Sequence, residues 1–412
     1  IPYLKWFQDH GFEVHVCAGN DFEPGEVCEI PYCDKYYEVP FCRSPFKLQN
    51  FQAYRTLKKI IENEEYDLIH GNTPVAAAIT RVAGRKVRKR GTKIIYTTHR
   101  FHFFQGAPRS AKLYYIIEKL LAPMTDAIVT INQEDYAAAR SFCKHCRCDS
   151  YLLHGTGVDT VKIQKTKVDV AALRKKIGIP TDAFVVMTTV EINRNKNLDT
   201  ALRAFAKVCT EDMYYLICGS GDMKTACQQL AKDLQIEQHV IFAGYRYDVF
   251  ELLYAADLFL FPSHREGLGI AALEAMSAGL PLVASNIRGV TEYAVDQKNS
   301  LLFAPDDVDG FASAIQRLHE DEPLRKQLGD AAYHSVSNVF GYSGISDGGS
   351  FRSEAGYLCR ERMRTLTANA SVISRKYQSV LHQSPVMEQV VQAVLQQEST
   401  WTDLQQLTLC VT

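Results

Sequence analysis

The stretch SHREGLGIAALEAMSAGLPLVAS, residues 263–285, sets two acids, Glu266 and Glu274, about a run of Ala, Leu and Met that reads as a helix over 268–278. A carboxylate among apolar side chains needs a partner, because burying it unpaired is costly. The eight positions from Glu266 to Glu274 rise about 12 Å along a helix. Eight steps of about 100° bring the second acid within roughly 80° of the first. Both carboxylates can therefore line one edge of a cleft, Glu266 at the helix mouth and Glu274 two turns deeper. Gly267, Leu268 and Gly269 leave backbone N–H groups free at the positive end of the helix dipole, a ready anion site. A nucleoside diphosphate sugar fits this layout, with its diphosphate at the mouth, its ribose hydroxyls on Glu274 and its sugar on Glu266. The alternative is a helix N-terminal charge plus a satisfied polar residue in the core.

Around that stretch, short β-rich runs alternate with helical patterns. FVVMTTV, MYYLICGSG, VIFAGY, LFLFPS and PLVAS belong to one segment; EVHVC, YDLIHG, KIIYTTH and AIVTIN belong to an earlier one, with QAYRTLKKIIENEE and SAKLYYIIEKLLA as helices. Such alternation signals βαβ units and parallel sheets, so the fold class is α/β. DVAALRKKIGIPTD, with Gly178 and Pro180, reads as a connector, which gives domains over 1–165 and 166–340. Two stacked sheets of this kind leave an interdomain cleft where ligands bind at strand carboxyl ends. Residues 341–412 read as a tail: the Gly/Ser-rich loop GYSGISDGGSFRS, then a helix in MEQVVQAVLQQ, with no further βαβ unit. At the other end IPYLKWFQDHG reads as a helix stopped by Gly11. An α/β domain normally opens on a strand, so a leading strand and turn are expected before Ile1.

The 412 residues suffice for two or three domains. Lys plus Arg number 46 against 47 Asp plus Glu, so charge does not point to nucleic acid. No window reaches the roughly 18 apolar residues of a membrane span. Twelve scattered cysteines without a small-domain framework suggest reduced thiols and a cytoplasmic location.

The ordered blocks also resemble a known family. EGLG and LEAMSAGLPLVAS are similar to the E-x7-E signature of glycosyltransferase family 4, whose members have the GT-B fold. CGSGDMKTACQQLAKDLQIEQHVIFAGYRYDVFELLYAADLFLFPS precedes the signature and NIRGVTEYAVDQKNSLLFAPDDVDGFASAI follows it. YTTHRFHFFQGAP, LLAPMTDAIVTINQEDY and HGTGVD resemble the branch that builds bacterial capsular and exopolysaccharides. The resemblance spans about residues 1–335. It implies two facing Rossmann-like domains, the first on the acceptor side and the second for the nucleotide-sugar. It also implies retaining transfer from a nucleotide-sugar, expected to be a UDP-sugar, to a lipid-linked or growing glycan, with no metal and no cofactor.

Residue by residue, the resemblance implies that Glu266 faces the donor sugar and Glu274 holds the ribose, while Gly267, Leu268 and Gly269 offer main-chain donors. Lys196 falls at the family's diphosphate-binding lysine, and a lysine opposite a helix mouth would stabilise a leaving diphosphate; otherwise it is a solvated loop residue. Glu191 stands where an Arg is usual and Val190 where Gly is usual, which leaves Arg194 to supply a second positive charge. Gly219 and Gly221 lack the third glycine of a dinucleotide fingerprint; they form a tight turn that in the family edges the nucleotide site. Tyr245 and Arg246 lie where the family's loop touches the base, or are an exposed loop pair. His99, ending KIIYTTH, is structural on its own, but the family match turns it to the reacting sugar or acceptor. Arg100 follows it where Gly is common and would narrow the acceptor pocket; His70 and His102 are further candidates. The family's glycine-rich first loop is expected before Ile1.

Three clusters need separate readings. Cys143, Cys146 and Cys148, with His145, have metal-like spacing but lack a second ligand pair at zinc-site distance. Asp307 and Asp309 have the spacing of a metal-binding DxD, but they follow Pro305 at a helix start, where acids cap. Residues 81–93 hold seven basic side chains without interleaved aromatics, which is either a solvated helix face or a contact with anionic membrane lipid at the inner face of the cell membrane. Two rivals to the transferase reading remain: a nucleotide-sugar 2-epimerase of GT-B fold, and an inactive truncated fragment.

Overall fold

The computed structural model describes residues 4, 7–8, 11–19, 30–42, 44–104, 107–153 and 158–337, together with the backbone of 406–411. These fall into two compact units divided between His154 and Gly155. In the first unit, β1 (Phe12–Ala18), β2 (Lys35–Glu38), β3 (Leu68–Gly71), β4 (Lys93–Thr98), β5 (Ala127–Thr130) and β6 (Asp149–Leu152) alternate from β2 onward with α1 (Gln49–Asn63), α2 (Pro74–Arg88), α3 (Lys112–Leu121) and α4 (Gln133–Cys143). β3 and β5 are buried at every position, as strands covered on both faces must be. α1 buries Ala53, Leu57 and Ile61 at four-residue spacing, one stripe of a helix.

The second unit carries α5 (Thr160–Lys165), α6 (Val170–Lys176), β7 (Phe184–Thr189), α7 (Leu198–Val208), β8 (Met213–Cys218), α8 (Lys224–Asp233), β9 (Val240–Gly244), α9 (Val249–Tyr254), β10 (Leu258–Phe261), α10 (Ile270–Ser277), β11 (Leu282–Ser285), β12 (Ser300–Phe303), α11 (Val308–Glu320) and α12 (Glu322–Ser337). Its sheet runs β12-β11-β10-β7-β8-β9 with all pairs parallel. The division falls before the boundary read at 165/166. Ile163 is fully buried, its carbonyl accepts a 2.8 Å hydrogen bond from the Tyr254 hydroxyl, and Lys162 lies over the Phe250 ring, so α5 belongs to the second unit. The connector is likewise structured: Arg174 on α6 pairs with Asp257 at 2.9 Å.

The tail carries a strand beyond the loop and the helix read there. Gln406–Val411 forms β13, the thirteenth strand among the described residues, and the first sheet runs β2-β1-β13-β3-β4-β5-β6. β13 pairs in parallel with both neighbours, Val14 opposite Thr408 and Ile69 opposite Leu409. It thereby satisfies two rows of backbone groups that β1 and β3 would otherwise leave open. The loop at 341–353 and the helix expected around 387–395 lie outside the described residues. Near the start, the expected helix is represented by Leu4, Phe7 and Gln8, with Gly11 following at φ +82°.

Candidate functional site

The site in the second unit is built at the carboxyl ends of β7, β8, β10 and β11. α10 starts two residues later than its pattern predicts, at Ile270, because Gly269 adopts the left-handed conformation (φ +86°). A Cβ on Gly269 would lie 2.9 Å from the Phe261 ring and 3.0 Å from the Tyr293 hydroxyl. That hydroxyl donates to the Gly269 carbonyl at 3.4 Å. On the other side, a Cβ on Gly289 would come within 2.8 Å of the carbonyl oxygens of Glu266 and Gly267. Residues 266–269 are thus wedged between β10 and the turn at 289–293, with Leu268 buried and Gly267 half-exposed.

Glu266 is 9% exposed, and its Oε1 accepts a 2.6 Å bond from Lys196 Nζ. The segment around Lys196 is pinned by three asparagines. The Asn193 side chain accepts from the N–H groups of Asn195 and Lys196 at 3.1 and 3.2 Å. Asn195 donates its amide to the Arg265 carbonyl, and its own carbonyl accepts from His264 N–H. Asn197, at φ +54°, donates its amide to the carbonyls of Pro262 and Pro305. Lys196 is therefore delivered to the helix mouth by a turn tied to the residues that lead into it. Arg194 is exposed on the same turn, as is Glu191 just before it.

Glu274 sits half-buried on α10, and among the described residues no partner reaches its carboxylate. Burial pushes this carboxyl up to about 7. Gly219, at φ +137°, and Gly221 allow close approach of two loops, since a Cβ on either would strike the carbonyl oxygens of Val190 and Ile192 respectively. Arg246 is committed to Asp248 by a 2.7 Å bond, while Tyr245 is 71% exposed with its ring 5.1 Å from that of Tyr247. Three hydroxyls escaped the sequence reading. Thr189, Ser263 and Ser285, at or just beyond the ends of β7, β10 and β11, bury their oxygens without a partner among the described residues. No sequence pattern marks them; only the strand ends they share could have suggested them.

In the first unit, His99 follows the last residue of β4 and keeps an open face to solvent. The protein packed about its ring lowers its pKa. His70 is buried, hydrogen-bonded to Thr97 Oγ1 at 2.8 Å, and held at about 4 by burial and then by the charge of His99. His102 stacks on Tyr114, and Arg100 is half-buried. Asp135, buried near the start of α4, accepts from Phe101 N–H and from the Asn132 amide, and so anchors the chain just after His99.

The remaining clusters resolve locally. Asp307 Oδ1 caps α11 through Gly310 N–H at 2.9 Å, and Asp309 pairs with Lys207. Cys143 and Cys148 bring buried sulfurs to 3.0 Å, and among the described residues no group of three His, Cys, Asp or Glu is arranged to hold a metal ion. Residues 81–93 do not form one solvated basic face. Arg81 is fully buried against Glu118 at 2.8 Å, and Arg88 pairs with Asp126 at 2.9 Å.

Two parallel-sheet α/β units, the second with Lys196 paired to Glu266 at a helix mouth, have the architecture of one class of protein, the glycosyltransferases of GT-B fold. Residues 3–160 match the model for Glycosyltransferase Family 4, and residues 169–335 match that for Glycosyl transferases group 1. A Bacillus subtilis (strain 168) protein named as a glycosyltransferase, EpsD, is 38% identical over 333 residues, 80% of this chain and 86% of the relative. An Escherichia coli enzyme, UDP-Gal:alpha-D-GlcNAc-diphosphoundecaprenol alpha-1,3-galactosyltransferase, is 26% identical over 332 residues, 76% of this chain and 84% of its own. The crystal structure of Anabaena HepE in complex with UDP and glucose superposes with a TM-score of 0.66 at 19% identity, covering 87% of this chain and all of that one. The chain belongs to glycosyltransferase family 4.

Proposed function

We propose that this glycosyltransferase moves a sugar from a UDP-sugar to a lipid-linked or growing cell-surface polysaccharide acceptor, with retention at the anomeric carbon and without a divalent metal. The observation that carries the reading is the Lys196 ammonium held 2.6 Å from Glu266 at the mouth of α10. A cation fixed at the mouth of a helix is suited to the charge that develops on a departing diphosphate. Lys196, seconded by Arg194 and by the N–H groups of Gly267, Leu268 and Gly269, takes up that charge as the anomeric carbon becomes oxocarbenium-like. The acceptor hydroxyl attacks from the same face and passes its proton to the leaving phosphate. Glu266 orients the donor sugar and Glu274 accepts the ribose hydroxyls. Gly219 edges the nucleotide, Tyr245 and Arg246 flank the base, and His99 faces the acceptor. Two similar proteins support the donor and acceptor: the Escherichia coli enzyme is named for UDP-Gal and a diphosphoundecaprenol-linked sugar, and HepE holds UDP. The enzyme would work at the inner face of the cell membrane.

The test is incubation of the chain with a panel of UDP-sugars and a polyprenyl-diphosphate-linked sugar, reading UDP release and the anomeric coupling of the product by NMR. Retained configuration with stoichiometric UDP is expected. An inverted product would refute retention, and an epimerised donor formed without acceptor would replace the reading with a 2-epimerase.

A further inference from the structure

α3 presents its apolar side to solvent. Leu113, Ile116, Ile117 and Leu120 recur at i, i+3, i+4 and i+7, the spacing that turns one face of a helix into a core. All four are exposed, from 37% at Ile117 to 67% at Leu120. What the helix buries instead is Glu118 and Leu121. The reason lies in the neighbouring helix. Glu118 receives two bonds from the Arg81 guanidinium, at 2.8 and 3.3 Å, and Arg81 is fully buried over the Tyr96 ring at 4.3 Å. An ion pair held inside costs much to break by removing one partner, so it sets the rotation of α3 and leaves the aliphatic stripe outward.

Along its own segment of chain, the exposed charge beside the stripe has one sign. Between residues 101 and 124 the only acid is Glu118, already consumed, whereas Arg109, Lys112 and Lys119 are exposed. Arg88 ties the end of α2 to the turn that follows α3 through the Pro123 and Thr125 carbonyls, and the exposed Lys89 and Arg90 come next in the chain. Exposed aliphatics at helical spacing with a cationic rim match the interfacial helix that lies in the headgroup region of a bilayer. A second copy of the chain fits less well, because two cationic rims would meet.

We infer that α3 is a membrane-docking helix, its stripe inserted among acyl chains and its lysines on anionic phospholipid headgroups. The docking surface belongs to α3 itself; its use, to bring the enzyme to a membrane acceptor, rests on the acceptor class proposed above. It moves the membrane contact from the basic run 81–93 to the helix packed beside it.

The experiment is co-sedimentation of the full chain with vesicles of phosphatidylcholine alone and of phosphatidylcholine with phosphatidylglycerol. Binding to the phosphatidylglycerol vesicles is expected, falling about tenfold in high salt as headgroup attraction is screened. The exposed double substitution Ile116→Ser with Leu120→Ser should lower it about tenfold or more, with melting temperature and UDP affinity unchanged. Lys112→Gln with Lys119→Gln should remove the preference for the anionic vesicles. Absence of vesicle binding by the parent chain, or equal binding by the Ile116/Leu120 variant, overturns the inference. So does loss of a dimer in that variant without any vesicle effect, which would make the stripe a contact between copies. Vesicle binding by a chain that transfers sugar only to water-soluble acceptors would keep the docking helix and refute the lipid-linked acceptor.

Discussion

Replacing Glu274 by Gln keeps the shape of the side chain and removes its charge. In the folded chain burial pushes this carboxyl from its ordinary 4.5 up to about 7. The folded state therefore holds the proton more tightly than the unfolded state, and stability contributed at this position falls as pH rises from about 4.5 to about 7. At about 1.4 kcal/mol per pKa unit the full shift corresponds to ~3 kcal/mol, and allowing for the partial exposure of the group leaves about 2 kcal/mol. Glu274→Gln carries no titrating group, so it should exceed the parent by about that amount at pH 8 and lose most of the advantage near pH 5. For a unit of this size the difference is roughly 4–8 °C in the melting temperature of the second unit. Scanning calorimetry of parent and variant at the two pH values reads it directly. The same substitution should weaken UDP binding by about tenfold at pH 8, since hydrogen bonds from ribose hydroxyls to a carboxylate become bonds to a neutral amide. Parental affinity should in turn rise with pH through about 7 while that of the variant stays flat. Equal melting temperatures at pH 8 would refute the burial argument, and unchanged UDP affinity would refute the ribose assignment.

Lys196→Ala should slow transfer by about 10²-fold or more at saturating donor, as other losses of transition-state charge stabilisation do; near-parental turnover would remove Lys196 from the mechanism. Transfer should survive EDTA, and activity restored only by added magnesium or manganese would count against charge stabilisation by side chain and helix alone. Gly289→Ala should raise the donor KM several-fold and cost about 1–3 kcal/mol of stability, because a Cβ there meets the carbonyls of Glu266 and Gly267 at 2.8 Å on a backbone at φ +87°; a parental KM would show that the mouth tolerates displacement.

Periodicity was enough to find most strands, since β3, β5, β10 and β11 are unbroken buried runs, and a run of that kind is read from its own residues. The short strands β2, β6 and β12 were missed because they are half-exposed or broken in pattern. Partnership is harder to read than periodicity. Glu266 and Lys196 were both singled out, but their ion pair joins residues 70 positions apart, and the asparagine turn that delivers Lys196 is legible only once its carbonyl partners are known. β13 is the extreme case: QLTLCV has the β-branched and apolar content of a strand, yet its neighbours are β1 and β3, and nothing local to residues 406–411 names them. α3 adds the complementary lesson. Its i, i+3, i+4, i+7 pattern states that one side is apolar, and the usual inference is that this side is inside. Whether it is depends on the phase of the helix, which Glu118 settles by reaching for Arg81, 37 residues away. A single acid on the polar side of a helix, opposite a buried arginine, can outweigh four aliphatic side chains, and it does so at lower net cost when a bilayer takes up the stripe that it turns outward.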